Sequence, residues 1–122
     1  MIALKQTKLS GENGGIGNCF MTCVASILGK RIEDVPNVET LFILGEFWLE
    51  VFNKWLWYHN LEYVLINEDE WIDGEPYLAN GMTERNTMHS VIYLNGKLFH
   101  DPHPSNSGLV DVKYYSAIRD LK

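Results

Sequence analysis

The first strong apolar pattern in the chain is helical and follows a glycine-rich segment. Residues 10–17 (SGENGGIG) predict a loop, and the next stretch, CFMTCVASILG, has apolar side chains at helical spacing. Asn18 is a favourable N-cap residue and Gly29 can end the helix, so Cys19 is expected in the first helical turn. The opening residues, 1–8, predict a short strand.

A second apolar stripe at helical spacing runs from residue 39 to residue 60. It predicts one long helix, or two helices joined at Gly45. Strand-like segments follow at residues 62–66, 77–79, 89–94, 97–101 and 110–115. Helices followed by strands predict an α+β fold in which N-terminal helices pack on an antiparallel sheet. No linker divides the chain, so we expect residues 1–122 to form a single domain.

Composition and charge narrow the choice of partners. The chain has 122 residues, 46% of them hydrophobic, and a formal net charge of −6. Such an acidic balance offers no cationic surface for a phosphate backbone, so nucleic acid is not an expected partner. There is no uninterrupted apolar run of membrane-spanning length and no signal-peptide pattern at the N-terminus. We therefore expect a cytoplasmic protein with no membrane partner, and an exposed acidic loop over residues 67–74.

The two cysteines point to chemistry rather than to a disulfide framework. Cys19 and Cys23 are four residues apart, and a reducing compartment would keep both as thiols. Cys23 falls within the apolar helix and is expected to pack in the core. Cys19 falls at the helix N-terminus, where positive potential is expected to lower the thiol pKa and where its own N–H could hold an oxyanion.

The nucleophile would need a base, and His89 is the best placed of the four histidines. It opens a predicted strand directly after the polar loop 81–88, whereas His59 lies near the end of the second helical stripe. Asp101, one strand later, could orient the imidazole if the two side chains share one face of the hairpin.

The type of turn in this hairpin decides whether the side chains of His89 and Asp101 share one face. A two-residue turn would pair Leu94 with Lys97 and place His89 and Asp101 on opposite faces. A three-residue loop would instead pair Tyr93 with Lys97 and place His89 directly across from Asp101. The sequence-based prediction is the three-residue loop.

GNCFMTCVASILG near the start, MHSVIYLNGKLFHDPHP near the end and the order Cys, His, Asp resemble the papain-like cysteine peptidase superfamily. The resemblance is greatest to the compact peptidase domains that remove leader peptides from bacteriocins, and it extends to small uncharacterised phage and bacterial proteins. It implies a papain-like fold with Cys19 as nucleophile, His89 as base and Asp101 as orienting residue. Members also place an oxyanion-holding glutamine upstream of the cysteine, commonly by six residues. That position is Asn13 here, so the resemblance favours Gln6, the nearest upstream glutamine, with Asn13 as the alternative.

Three functions are open at this point. The first is a cysteine hydrolase that uses no cofactor or metal and acts on a peptide, an isopeptide or a glutamine side chain through a thioester. The second is a non-catalytic module that binds a peptide or a protein on the same fold. The third is a zinc-binding domain using the two cysteines with His89, His100 and His103, although two cysteines on one helix are an unusual ligand pair.

Overall fold

The computed structural model describes residues 1–9 and 17–121, and in those residues three α-helices pack on a five-stranded antiparallel sheet. The helices are α1 (Cys19–Leu28), α2 (Val38–Ile43) and α3 (Trp48–Tyr58), with a 3-10 helix at Ile32–Asp34. The strands are β1 (Leu61–Ile66), β2 (Tyr77–Met82), β3 (Met88–Leu94), β4 (Lys97–His100) and β5 (Asp111–Asp120). The predicted α+β class is confirmed.

The N-terminal segment is irregular, so the predicted strand over residues 1–8 is wrong. Its backbone bonds to parts of the molecule that no local pattern identifies: Ile2 N donates to Ser26 O of α1, and Gln6 N donates to Pro102 O, both at 2.9 Å. The segment therefore runs from the end of α1 to the loop after β4. Most of the predicted glycine-rich loop, residues 10–16, lies outside the described residues.

The second apolar stripe forms two helices, α2 and α3, which is the second of the two predicted alternatives. Gly45 between them has a φ of 76°, a left-handed conformation that glycine adopts without steric cost. Asn37 caps α2 by accepting a hydrogen bond from Thr40 N at 3.2 Å. The break lets α2 turn away from α3 and reach the start of α1.

The core lies between the helices and one face of the sheet, whose strand order is β1-β5-β2-β3-β4. Helix α1 packs on β3 and α3 packs on β1. Phe20 of α1 meets the ring of Phe52 edge-on at 5.3 Å. Other fully buried core side chains include Cys23, Val24, Leu56, Leu78 and Ile92. The core assignment of Cys23 is confirmed.

No helix in residues 1–9 and 17–121 is long and apolar enough to cross a membrane.

Gly81 allows β2, the strand next to the one that carries His89, to approach β5 closely. It lies opposite His89 in the β2–β3 ladder, at the point where the β2–β5 register shifts. A Cβ added there would stand 2.0 Å from Asp111 O and 2.9 Å from Val112 Cα, both backbone atoms. Any side chain at this position would force β2 away from β5.

We expect Gly81→Ala to lower the free energy of unfolding by about 3 kcal/mol, because rigid backbone must move to relieve the overlap. Urea unfolding followed by circular dichroism measures the loss. Gly74→Ala is the control: nothing lies within 4 Å of a Cβ added at Gly74, which, unlike Gly81, has a positive φ of 77°. Its cost is expected to be only the left-handed penalty, about 1 kcal/mol, and equal losses in the two variants would contradict the steric explanation.

Candidate active site

The turn between β3 and β4 is the two-residue type, so the predicted three-residue loop is wrong. Asn95 and Gly96 both have positive φ, 52° and 80°, as a type I′ turn requires. The ladder consequently starts with Leu94 opposite Lys97. Asn-Gly is the dipeptide that best fits this turn, since both residues tolerate the left-handed region.

A bulge in β4 nevertheless brings His89 and Asp101 together. Tyr93 pairs with Leu98, but Ile92 pairs with His100, which leaves Phe99 as an extra residue in β4. One extra residue reverses the alternation of side chains, so Asp101 returns to the face of His89. His89 Nε2 lies 2.7 Å from Asp101 Oδ1, and both side chains are buried. The predicted pair of His89 and Asp101 is therefore present, but the bulge in β4 brings it together rather than the predicted three-residue turn.

Asp101 is held as a carboxylate by three donors. Besides His89, the N–H of His103 donates to Oδ1 at 2.9 Å and the N–H of Gly108 donates to Oδ2 at 2.8 Å. Burial alone would raise the pKa of Asp101, but these hydrogen bonds outweigh it and lower the pKa to about 2. Because the carboxylate accepts from Nε2, the remaining ring nitrogen of His89, Nδ1, carries the lone pair of the neutral imidazole.

Cys19 shares a cavity with His89. It is the first residue of α1, is partly buried, and lines with His89 a cavity of about 680 Å³. The backbone N–H groups of Ser90, Phe20 and Cys19 itself lie close enough to the sulfur to favour its thiolate. The order Cys, His, Asp along the chain therefore corresponds to a thiol and a buried His–Asp pair around one cavity.

Glu39 is the residue of this site that sequence reasoning missed. Its carboxylate accepts from Phe20 N at 2.7 Å and from Met21 N at 3.3 Å, so it caps the first turn of α1 from α2. Asn18, the predicted N-cap, makes no such bond with its side chain, whose Oδ1 instead accepts from Lys8 N. A glutamate in the first turn of α2 has an ordinary local explanation, so no sequence signal distinguished it.

The pKa of the Cys19 thiol is raised, whereas the sequence predicted that the helix N-terminus would lower it. Burial, and next the charge of Glu39, raise the pKa of Cys19 to about 12 despite the three backbone donors. Burial also raises the pKa of Glu39 to about 7, although the N–H groups of Phe20 and Met21 and the Cys19 side chain favour its carboxylate. In the free protein Cys19 is therefore a neutral thiol at neutral pH, and a base must remove its proton during any attack.

Of the two predicted oxyanion residues, the structure describes one. Gln6 lines the same cavity, its Nε2 donates to Lys8 O at 2.8 Å, and its Oε1 is buried without a hydrogen-bond partner. Asn13 lies outside the described residues. His100 binds the backbone carbonyl of Leu4 through Nε2, away from the His89–Asp101 pair.

The described residues contain no cluster of three histidine, cysteine, aspartate or glutamate side chains arranged to hold a metal ion. His103 lies beside His89, with its ring edge-on at 5.9 Å, and its Nδ1 is 2.8 Å from Ser105 Oγ. Arg85, from the β2–β3 loop, also lines the cavity, and its guanidinium donates to the hydroxyls of Ser105 and Ser107. Arg85 gives this part of the cavity wall a positive charge, whereas Glu39 is acidic; burial, and next the charge of Arg85, lower the pKa of His103.

A buried polar network supports the strand that carries His89. Ser90 Oγ donates to Asn80 Oδ1 at 2.7 Å, and Asn80 Nδ2 donates to Ser116 Oγ at 3.1 Å. The network joins β3, β2 and β5 through fully paired side chains, which limits sliding of these strands against one another. It fixes the backbone next to His89 and the Ser90 N–H beside the Cys19 sulfur.

The chain matches no protein-family model, no curated protein and no solved structure. The chemistry of the site therefore rests on its own residues. These supply a thiol at a helix N-terminus, an imidazole with one nitrogen bound to a buried carboxylate, and an adjoining cavity wide enough for a side chain or a short peptide.

Proposed function

We propose that this protein is a cysteine hydrolase on a papain-like fold, acting on an amide of a peptide, an isopeptide or a glutamine side chain. The observation that carries the proposal is the buried His89–Asp101 hydrogen bond of 2.7 Å beside a cavity that Cys19 also lines. Each residue alone has an ordinary structural role. A nucleophile, a base and a group that orients the base around one cavity are the arrangement that acyl transfer requires.

The reaction would begin from the neutral thiol. His89 Nδ1 takes the proton of Cys19 as the sulfur bonds to the carbonyl carbon, and Asp101 stabilises the resulting imidazolium. The C–N bond then breaks, the amine leaves with the proton from His89, and the acyl group remains on Cys19 as a thioester. Water, deprotonated by His89, attacks that thioester to release the carboxylic acid and restore the thiol.

The developing oxyanion would be held by two donors. The first is the backbone N–H of Cys19 at the start of α1, where the helix dipole adds positive potential. The second is the side-chain amide of Gln6, because Nε2 carries two hydrogens and the bond to Lys8 O uses one of them.

One observation favours the runner-up, a non-catalytic module that binds a peptide or protein in the cavity. The pKa of Cys19 is raised to about 12, and a residue that never reacts needs no thiolate. The buried His89–Asp101 pair argues the other way, since binding alone does not require an oriented imidazole.

An activated ester separates the two without knowledge of the natural substrate. With p-nitrophenyl acetate we expect a burst of about one p-nitrophenolate per chain and an acetyl group on Cys19, located by peptide mass spectrometry. Cys23→Ser should keep the burst, because Cys23 is buried in the core, and Cys19→Ala should lose it. A wild-type chain that gives no burst and no adduct would leave the binding module as the better account.

A further inference from the structure

The cavity wall around Glu39 combines one carboxylate with apolar side chains. Val38, Phe42 and Ile43 of α2 and Trp48 at the start of α3 line the cavity, and Phe42 is 65% exposed. Glu39 is the only acidic residue among the described residues that line the cavity. Lysine and arginine side chains have the matching chemistry, an apolar stem that ends in a cation.

Among the described residues, no lysine, arginine or histidine forms an ion pair with Glu39. None of the salt bridges found among residues 1–9 and 17–121 includes it, and its donors there are the N–H groups of Phe20, Met21 and Glu39 itself and the Cys19 side chain. Residues 10–16 contain no lysine, arginine or histidine. The carboxyl is partly buried and its pKa is raised to about 7, so about half of the molecules carry its charge at neutral pH; a positively charged ligand would favour the charged form.

We propose that Glu39 determines the specificity of the site by selecting substrates that present a lysine or arginine side chain beside the scissile carbonyl. The cation would pair with the Glu39 carboxylate while its methylene stem lies against Phe42 and Trp48. This inference rests on the proposed function and names the class of substrate that the site would take.

The same contact would activate the nucleophile. Glu39 stands beside Cys19, and its negative charge opposes formation of the thiolate. A substrate cation next to Glu39 offsets that charge, so loss of the Cys19 proton to His89 becomes easier once a basic substrate is bound. The free protein would keep a slowly reacting thiol, and the matching substrate would speed its reaction by supplying a positive charge beside Glu39.

Three methanethiosulfonate reagents test the selection without requiring turnover: the cationic aminoethyl, the neutral methyl and the anionic sulfonatoethyl compounds. In each reaction the Cys19 thiolate attacks the sulfenyl sulfur and methanesulfinate leaves. With rates normalised to those of 2-mercaptoethanol, we expect wild type to prefer the cationic over the neutral reagent about fivefold or more, and to react slowest with the anion.

In Glu39→Gln the ratio of cationic to neutral rates should fall to about one, while the rate with the neutral reagent should rise because the charge beside the sulfur is gone. Glu46→Gln removes the same charge from an exposed position outside the cavity and should keep the wild-type ratio. A role of Glu39 limited to capping α1 predicts no dependence on reagent charge.

A second variant tests the inference if Glu39→Gln does not fold. Phe42→Lys keeps the cap of α1, places a cation on the cavity wall and should remove the preference for the cationic reagent. A wild-type ratio near one, or a preference that survives in folded Glu39→Gln or folded Phe42→Lys, overturns the inference. A normal p-nitrophenyl acetate burst with no cation preference overturns this inference alone, whereas loss of the burst overturns the proposed function.

Discussion

We expect His89→Ala to slow acetylation of Cys19 by p-nitrophenyl acetate about a thousandfold at neutral pH. Because the pKa of Cys19 is raised to about 12, the sulfur is protonated in the free protein and cannot react until a base removes the proton. His89 lines the same cavity, and its bond to Asp101 leaves Nδ1 as the accepting nitrogen. The measurement is the rate of p-nitrophenolate release before steady state.

His59→Ala is the matched control, since His59 is exposed at the end of α3 and contacts Trp55 rather than the cavity. It should acylate at the wild-type rate. An unchanged rate in His89→Ala would show that His89 is not the base, even if Cys19 is acetylated. A large loss in both variants would point instead to a general loss of structure, which circular dichroism would detect.

The second large effect is the loss of folding stability on removal of the buried Asp101 carboxylate. We expect Asp101→Ala to lower the free energy of unfolding by about 3 to 5 kcal/mol, because it removes a buried carboxylate that accepts three hydrogen bonds. The N–H groups of His103 and Gly108 and the Nε2 of His89 would lose their acceptor. Urea unfolding near neutral pH measures the loss.

Asp111→Ala is the control for removal of an aspartate as such. Asp111 pairs with Lys113 at the surface, where both side chains are more than half exposed, so its loss should cost about 1 kcal/mol or less. Similar losses in the two variants would contradict the role given to the buried hydrogen bonds of Asp101.

The stabilisation by Asp101 also has a defined pH dependence. Its folded pKa of about 2 lies below the unfolded value of about 3.9, so its contribution is present above about pH 4 and is lost as pH falls toward 2. The difference in unfolding free energy between wild type and Asp101→Asn should therefore shrink by about 2 kcal/mol between pH 5 and pH 2. A difference that stays constant would show that the pKa of Asp101 is not lowered by folding.

Local patterns were enough to predict where most elements lie. The apolar spacing from Cys19 to Leu28, with Gly29 after it, specifies a helix that begins at Cys19 because each signal depends only on neighbouring residues. Local signals likewise predicted α3 and the position of His89 near the start of β3. The N-terminal segment was mispredicted as a strand because its hydrogen bonds go to Ser26 and Pro102, far away in the chain.

The register of the β3–β4 hairpin could not be predicted from neighbouring residues alone. Asn-Gly favours the two-residue turn, yet that turn alone would have separated His89 from Asp101. The bulge at Phe99 reverses the side-chain alternation, and its position is set by what lies beyond β4: the donors His103 and Gly108 hold Asp101 in place. Since the energy difference between neighbouring registers is small locally, these distant contacts decide it.

By itself, then, the sequence determined the helix that presents Cys19, the strand that presents His89 and the burial of Cys23, because all three follow from periodicity and short-range signals. The tertiary structure alone decided the bulge that joins His89 to Asp101, the docking of Glu39 on the first turn of α1 and the raised pKa of Cys19. The physical reason is that burial and charge act through space. The surroundings of the sulfur are built from α1, α2 and β3, whose residues are separated along the chain.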